Sequence, residues 1–179
     1  MANLCSFSMY VRGNHGDIEK FYNAMSQKGN IYMGRGADAE IIWDDDDVAC
    51  IDGWCKWSVQ SAMIDNAISM RRNPEMWAWS DEDKAKNLEF ITLWEACEKW
   101  NLSMEVYSEE PGCEFQEHYI YTDGEITCDD CVEYHEYCLD DYDTKEEAED
   151  ELDIEITDAE WEEGGFISRG GFENWDFEI

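Results

Sequence analysis

The hydrophobic positions of this chain change period several times, and each change marks an element. Leu4-Cys5-Ser6-Phe7-Ser8-Met9-Tyr10-Val11 mixes apolar and small residues as a strand does, and Gly13 ends it. Asn14 and Asp17 then supply a helix start, followed by Ile18, Phe21, Tyr22 and Met25 at i, i+3, i+4 and i+7 on one face. Lys28-Gly29-Asn30 stops that helix. Ile31-Tyr32-Met33 leads into Gly34-Arg35-Gly36-Ala37-Asp38-Ala39, but a dinucleotide fingerprint needs a helix to open there. The chain instead runs into strand-like Glu40-Ile41-Ile42-Trp43 and a solvated turn, Asp44 to Asp47, whose consecutive carboxylates cannot converge on one ion. Val48 to Ser58 suits a half-buried strand.

Residues 60–79 hold a short helix around Ala62–Ile68 and then an irregular stretch with Arg71 and Arg72. Ser80 and Asp83 form a near capping box that opens one long helix, Ser80–Trp100, with Leu88, Ile91, Trp94 and Cys97 along one face. Three strands follow. Leu102, Met104 and Val106 alternate inward against Ser103, Glu105 and Tyr107, and Glu110-Pro111-Gly112 turns the chain. Glu114–Thr122 pairs back, and Asp123-Gly124 marks a tight hairpin into a strand starting at Glu125. The order strand, helix, strand, strand, helix, strand, strand, strand predicts an α+β fold, with helices packed on one face of an antiparallel sheet. Residues 1–127 form that domain, and 128–179 form an acidic C-terminal extension packed on the sheet or continuing it.

Three groups of residues resemble a known family. They are Asn3-x-Cys5-Ser6 with Val11-x-Gly13, Lys56-Trp57-Ser58, and Tyr107-Ser108-Glu109-Glu110-Pro111-Gly112 with Phe115 and Gly124. Over residues 1–127 the chain resembles the YubB-type ferredoxin-like proteins of phages, plasmids and other mobile elements. It departs from them at Val59-Gln60, where the family has prolines, and at Gln116-Glu117, where it has small residues. The resemblance implies a ferredoxin-like sheet and a mobile-element origin. It brings no catalytic constellation, and a non-enzyme is expected.

Charge changes this picture most. Residues 108–179 hold 27 of the 45 acidic side chains and only two basic ones, Lys145 and Arg169, for a net −25 out of −33. Such a density costs free energy through self-repulsion over a Debye length of ~8–10 Å, and no fold requires it. Double-stranded DNA carries one charge per ~1.7 Å, so 25 charges correspond to on the order of 40 Å of duplex. An acidic body of this kind fits a basic nucleic-acid groove on another protein and excludes direct binding to nucleic acid. The expected partner is a CRISPR effector nuclease, and the expected role an anti-CRISPR that mimics DNA. The mimicking surface would comprise Glu109, Glu114, Glu117, Asp129, Asp130, Glu133, Glu136, Asp140, Asp141, Asp143, Glu146, Glu147 and Asp150.

Cysteine usage adds an alternative. Cys128-x2-Cys131-x3-His135-x2-Cys138 has the ligand types of a zinc knuckle, with the last gaps shorter than usual. The same residues suit a packed strand with reduced thiols, and no other cofactor is expected. A zinc-stapled acidic interaction or regulatory module is thus the second reading. Cys113 with His118, and His135 with Cys138, are weaker pairs without a third member. No apolar run long enough to span a bilayer and no signal-peptide pattern occurs, which predicts a cytoplasmic protein in a bacterial host cell. In that compartment the eight cysteines should be reduced, and most should serve as small core residues. Beyond Leu139, a helix from Asp143-Thr144 to Leu152, a short strand at Ile154–Ile156 and a Gly-Gly-Phe repeat at 164–166 and 170–172 are expected. The final aromatics should fold back on the sheet.

Overall fold

The computed structural model of the chain describes residues 4–26, 28–34 and 37–179. Its centre is β1 (Leu4–Arg12), which pairs antiparallel with β3 (Val48–Lys56) on one side and β4 (Ser103–Glu110) on the other. β2 (Asp38–Asp45) flanks β3, while β5 (Phe115–Thr122), β6 (Glu125–Cys138) and β7 (Phe166–Gly170) continue beyond β4. The result is a seven-stranded sheet of order β2-β3-β1-β4-β5-β6-β7, antiparallel at every step. The protein is α+β, with helices and this sheet sharing one main core.

Alternation explains which residues form that core. Cys5, Phe7, Met9 and Val11 of β1 face inward beside Ala49, Ile51 and Cys55 of β3 and Met104 and Val106 of β4. Helix α1 (His15–Ala24) lays Ile18 and Phe21 on them, its first turn capped by the Asn14 side chain, which accepts from Gly16 N at 3.1 Å. Phe21 meets Trp100 edge-on at 6.3 Å, which ties α1 to α4 (Leu93–Trp100). A π-helical turn, Gln60–Asp65, runs into α2 (Asn66–Arg72) and buries Ala62, Met63 and Ala67.

Several expectations are corrected. The long helix Ser80–Trp100 is two helices, α3 (Asp81–Asn87) and α4, separated at Leu88–Thr92. Thr92 and Glu95 form a full capping box, Glu95 N donating to Thr92 Oγ1 at 3.1 Å and Thr92 N to Glu95 Oε2 at 2.8 Å. That second start signal restarts the helix, so Leu88 is left exposed instead of joining an apolar face with Ile91 and Trp94. Residue 127 is no boundary in the backbone, because β6 runs through it for 14 residues. Of the Gly34-x-Gly36 stretch, Arg35 and Gly36 lie outside the described residues, as does Asn3, and the chain beyond them enters strand β2.

The cysteines also differ from expectation. Only Cys5, Cys55 and Cys97 are buried, while Cys50, Cys128 and Cys138 are half-buried and Cys113 and Cys131 exposed, all eight as thiols. Past β6, a short 3₁₀ turn (Leu139–Asp141), α5 (Lys145–Leu152) and α6 (Asp158–Glu163) gather a second small core of Leu139, Ala148, Ile156 and Ile167. Ile154 and Ile156 enter it from an irregular segment, not from a strand, just after Asp153 ends α5 in a left-handed conformation (φ 55°). No helix among the described residues is long and apolar enough to cross a membrane.

Candidate functional site

β6 is the spine of the acidic half. The Asp123-Gly124 turn, with φ of 54° and 84°, returns it along β5, and its far end pairs with β7 from Tyr134 to Cys138. Alternate residues of a strand point to opposite faces. Asp129, Cys131 and Glu133 therefore share one face, and Cys128, Asp130 and Glu136 the other. The thirteen predicted carboxylates do not form a single plane.

Eleven of them are exposed: Glu114, Asp129, Asp130, Glu133, Glu136, Asp140, Asp141, Asp143, Glu146, Glu147 and Asp150. Two are not free surface charges. Glu109 is half-buried, accepting from Ser6 Oγ at 3.4 Å and from Gln116 Nε2 at 3.1 Å. Glu117 is only 3% exposed and accepts from Val59 N at 2.8 Å, Gln60 N at 3.3 Å, Ser108 Oγ at 2.6 Å and Tyr119 OH at 3.1 Å. Its carboxylate serves the first turn of the helical segment after β3, and burial beside it pushes the Tyr119 hydroxyl well above its ordinary pKa. Glu117 is withdrawn from the partner surface for that reason.

The two cations of this half are both held locally. Lys145 Nζ sits 2.7 Å from Asp158 Oδ1, and Arg169 Nη1 donates to Glu160 Oε1 at 2.9 Å while its Nη2 reaches the Glu155 carbonyl at 2.8 Å. Arg169 first, and then the Thr157 N–H, hold the Glu160 carboxyl down to about 2. The exposed carboxylates around the 3₁₀ turn and α5 have little else to offset them.

The four predicted zinc ligands are not brought together. They lie on one extended strand, and ten residues of strand carry Cys128 and Cys138 roughly 33 Å apart along the backbone. Cys131 and His135 also face away from Cys128 and Cys138. His135 Nδ1 instead lies 3.2 Å from Glu114 Oε1, and no group of three or more His, Cys, Asp or Glu suited to a metal ion occurs among the described residues.

Sequence spacing missed one buried cluster of titratable groups. On the sheet face away from α1 and α4, Glu105 of β4 and Cys128 of β6 both stand level with Ile120 of β5, and His118, two residues along β5, lies diagonal to each of them. His118 Nε2 is 2.8 Å from Glu105 Oε1, and Cys128 Sγ is 3.4 Å from both His118 Nδ1 and Asp130 Oδ2. The order thiol, imidazole, carboxylate is that of an activated nucleophile. Here burial first, then the Asp130 hydrogen bond and neighbouring carboxylates, raise the Cys128 thiol to about 11, so it stays protonated at neutral pH. The usable signal was the hairpin register around Asp123-Gly124, which sets His118 diagonal to Cys128 rather than to Cys113.

The C-terminal segment seals this face. Gly170 and Gly171 adopt φ of 74° and 76°, and a Cβ on either would fall 2.5 Å from Glu133 O or Gln116 Oε1. Only glycine lets the chain pass so close to the sheet here. Phe172 N then donates to Gln116 Oε1 at 2.8 Å, Trp175 stacks on Tyr107 at 5.5 Å, and Phe177 stacks on Tyr10 at 5.2 Å. Tyr107 itself stacks on His118 at 3.9 Å, and the Glu178 and Ile179 N–H groups donate to Glu105 Oε2. Glu105, at 0% exposure, thus has a partner on every side. No family model, curated protein or solved structure matches this chain.

Proposed function

We propose that this chain is an anti-defence protein of a phage or mobile element, an anti-CRISPR that occupies the nucleic-acid groove of a CRISPR effector nuclease in place of DNA. One observation carries the reading: eleven exposed carboxylates along β6, its turn and the C-terminal helices, with both local cations already paired. β6 is 14 residues long, roughly 45 Å if extended, and carries five carboxylates, with most of the other exposed ones on the 3₁₀ turn and α5 that follow it. Carboxylates on both faces of that strand, held in the sheet by β5 and β7, would present charge to a basic partner from two sides. The protein acts by occupation, without chemistry of its own, in the cytoplasm of the host cell.

The same proposal takes residues 4–110 as a ferredoxin-like unit. Its support is the order β2-β3-β1-β4 with α1 and the α2–α4 region as the two crossovers, the arrangement of a split βαβ pair.

The test uses the full chain with purified effector nucleases and their guides. Inhibition should fall steeply between 50 and 200 mM salt, on the order of a thousandfold for six or more charge contacts, and target DNA should compete with the inhibitor. A combined Asp129→Lys, Glu133→Lys, Asp141→Lys and Glu146→Lys variant should release the nuclease. Full inhibition by that variant, or a flat salt response, overturns the reading.

A further inference from the structure

A cleft of about 440 Å³, with no β6 or α5 residue among its described lining, opens between the 31–34 segment, the exit of β3 and the stretch around α3. Its walls are aromatic. Trp57 and Trp77 lie 5.8 Å apart, Tyr32 stands 6.2 Å from Trp77, and Phe90 meets Tyr32 edge-on at 5.4 Å. The rings are wet: Trp57 is 38% exposed, Trp77 51% and Trp79 82%. Leaving three indoles open to solvent in one place forgoes burial that the main core would otherwise gain.

The backbone makes the placement more pointed. Trp57 has φ 71° and Trp77 φ 53°, so two bulky residues sit in the left-handed region that glycine favours. Such conformations cost about 1 kcal/mol or more each and persist where surrounding structure enforces them, commonly at ligand sites. Both residues line the same cleft, their rings 5.8 Å apart.

The charges of the cleft select among aromatic-loving ligands. Among the described residues, Lys56 and Lys86 line it against one carboxylate, Asp83, which accepts the Trp79 N–H at 3.0 Å. A quaternary ammonium, the usual guest of an aromatic cage, would meet two ammonium groups here. A planar ring bearing an anion meets indole faces and lysines together. The volume also lies within the ~300–1,000 Å³ range of small-molecule sites. We propose that this cleft binds a mononucleotide, its base stacked on the exposed indoles of Trp77 or Trp79 and its phosphate on Lys56 and Lys86. The site is separate from the acidic surface and does not depend on that surface's role.

The experiment titrates the full chain with AMP, adenosine and inorganic phosphate separately, following tryptophan fluorescence and calorimetric heat. AMP should quench saturably with one site per chain, adenosine should bind about tenfold more weakly, and phosphate alone should leave the fluorescence unchanged. Trp79→Ala, a change at an exposed ring, and Lys86→Gln should each weaken AMP by about tenfold, in line with single base-stacking and charge contacts. No saturable AMP binding overturns the proposal. So does adenosine binding as tightly as AMP, or AMP affinity unchanged in both variants.

Discussion

Glu117 Oε2 accepts the backbone N–H of Val59 at 2.8 Å, joining the middle of β5 to the helical segment that follows β3. The bond crosses from sheet to helix at a point where both are buried, and Oε1 takes the next N–H, that of Gln60, at 3.3 Å. A carboxylate at a helix start satisfies donors that have no intrahelical partner and meets the positive end of the backbone dipoles. The same side chain collects the hydroxyls of Ser108 and Tyr119, so four donors depend on it.

Glu117→Ala should therefore be among the most destabilising single changes in the protein. Leaving several buried donors unsatisfied costs about 3–5 kcal/mol. Glu117→Gln, which keeps an acceptor oxygen, should cost less. Urea denaturation followed by far-UV circular dichroism measures both, and equal effects would show that the charge and the second oxygen account for the whole contribution of the carboxylate.

The C-terminal segment is expected to be a structural strap over the sheet. Ending the chain at Gly171 removes the rings on Tyr107 and Tyr10 and two N–H donors from buried Glu105. Loss of stacking area and of those donors should lower stability by about 3 kcal/mol. Hydrogen exchange should rise first in β4 and β5. Unchanged protection there would show that the strap contributes nothing to the sheet.

Thiol reactivity should separate the cysteines by environment. Exposed Cys113 should be alkylated by iodoacetamide at pH 8 well before Cys128, whose thiol, raised to about 11, supplies little thiolate. Asp130→Asn removes the negative charge beside Cys128 Sγ and leaves only a neutral amide acceptor, so it should speed labelling. Because the folded-state value lies above the ordinary one of 9.0, the Cys128 contribution to stability is present below pH 9 and is lost as pH rises through about 11. Peptide mass spectrometry over a time course reads the order of modification.

Arg169 and Glu160 should anchor the second small core in a pH-dependent way. Arg169→Gln should loosen the packing around Trp161, seen as increased exchange in α6. The Glu160 carboxyl is held at about 2, below its ordinary 4.5, so the pair stabilises above pH 4.5 and its contribution fades as pH falls toward 2. The difference between the parent and Arg169→Gln should shrink across that window. A difference independent of pH would assign the arginine's role to its bond with the Glu155 carbonyl instead.

Some of this was written in the chain. Ile18 and Phe21 on one helical face, Met104 and Val106 alternating inward, Thr144 capping α5 and the Asp123-Gly124 hairpin are local consequences of period and turn chemistry. The α+β class and the acidity of the second half followed from the same kind of reading. The helix break at Leu88–Thr92 was legible as well, since Thr92-x-x-Glu95 is a start signal in its own right, but the apolar steps running across it hid it.

Tertiary structure decided the rest, because a two-residue period says which face a side chain takes and nothing about what covers that face. Glu105 and Tyr107 point away from the helices as their alternation requires, yet they are buried, since a segment more than 60 residues later returns to lie on them. Glu117 looks in sequence like any other acid of the charged half and is a buried cap because β5 passes beneath Val59. The Cys128–His135 spacing fits a knuckle only if the chain curls, and pairing with β5 and β7 holds it extended. Local composition set the charge and the elements; long-range pairing set which charges reach water.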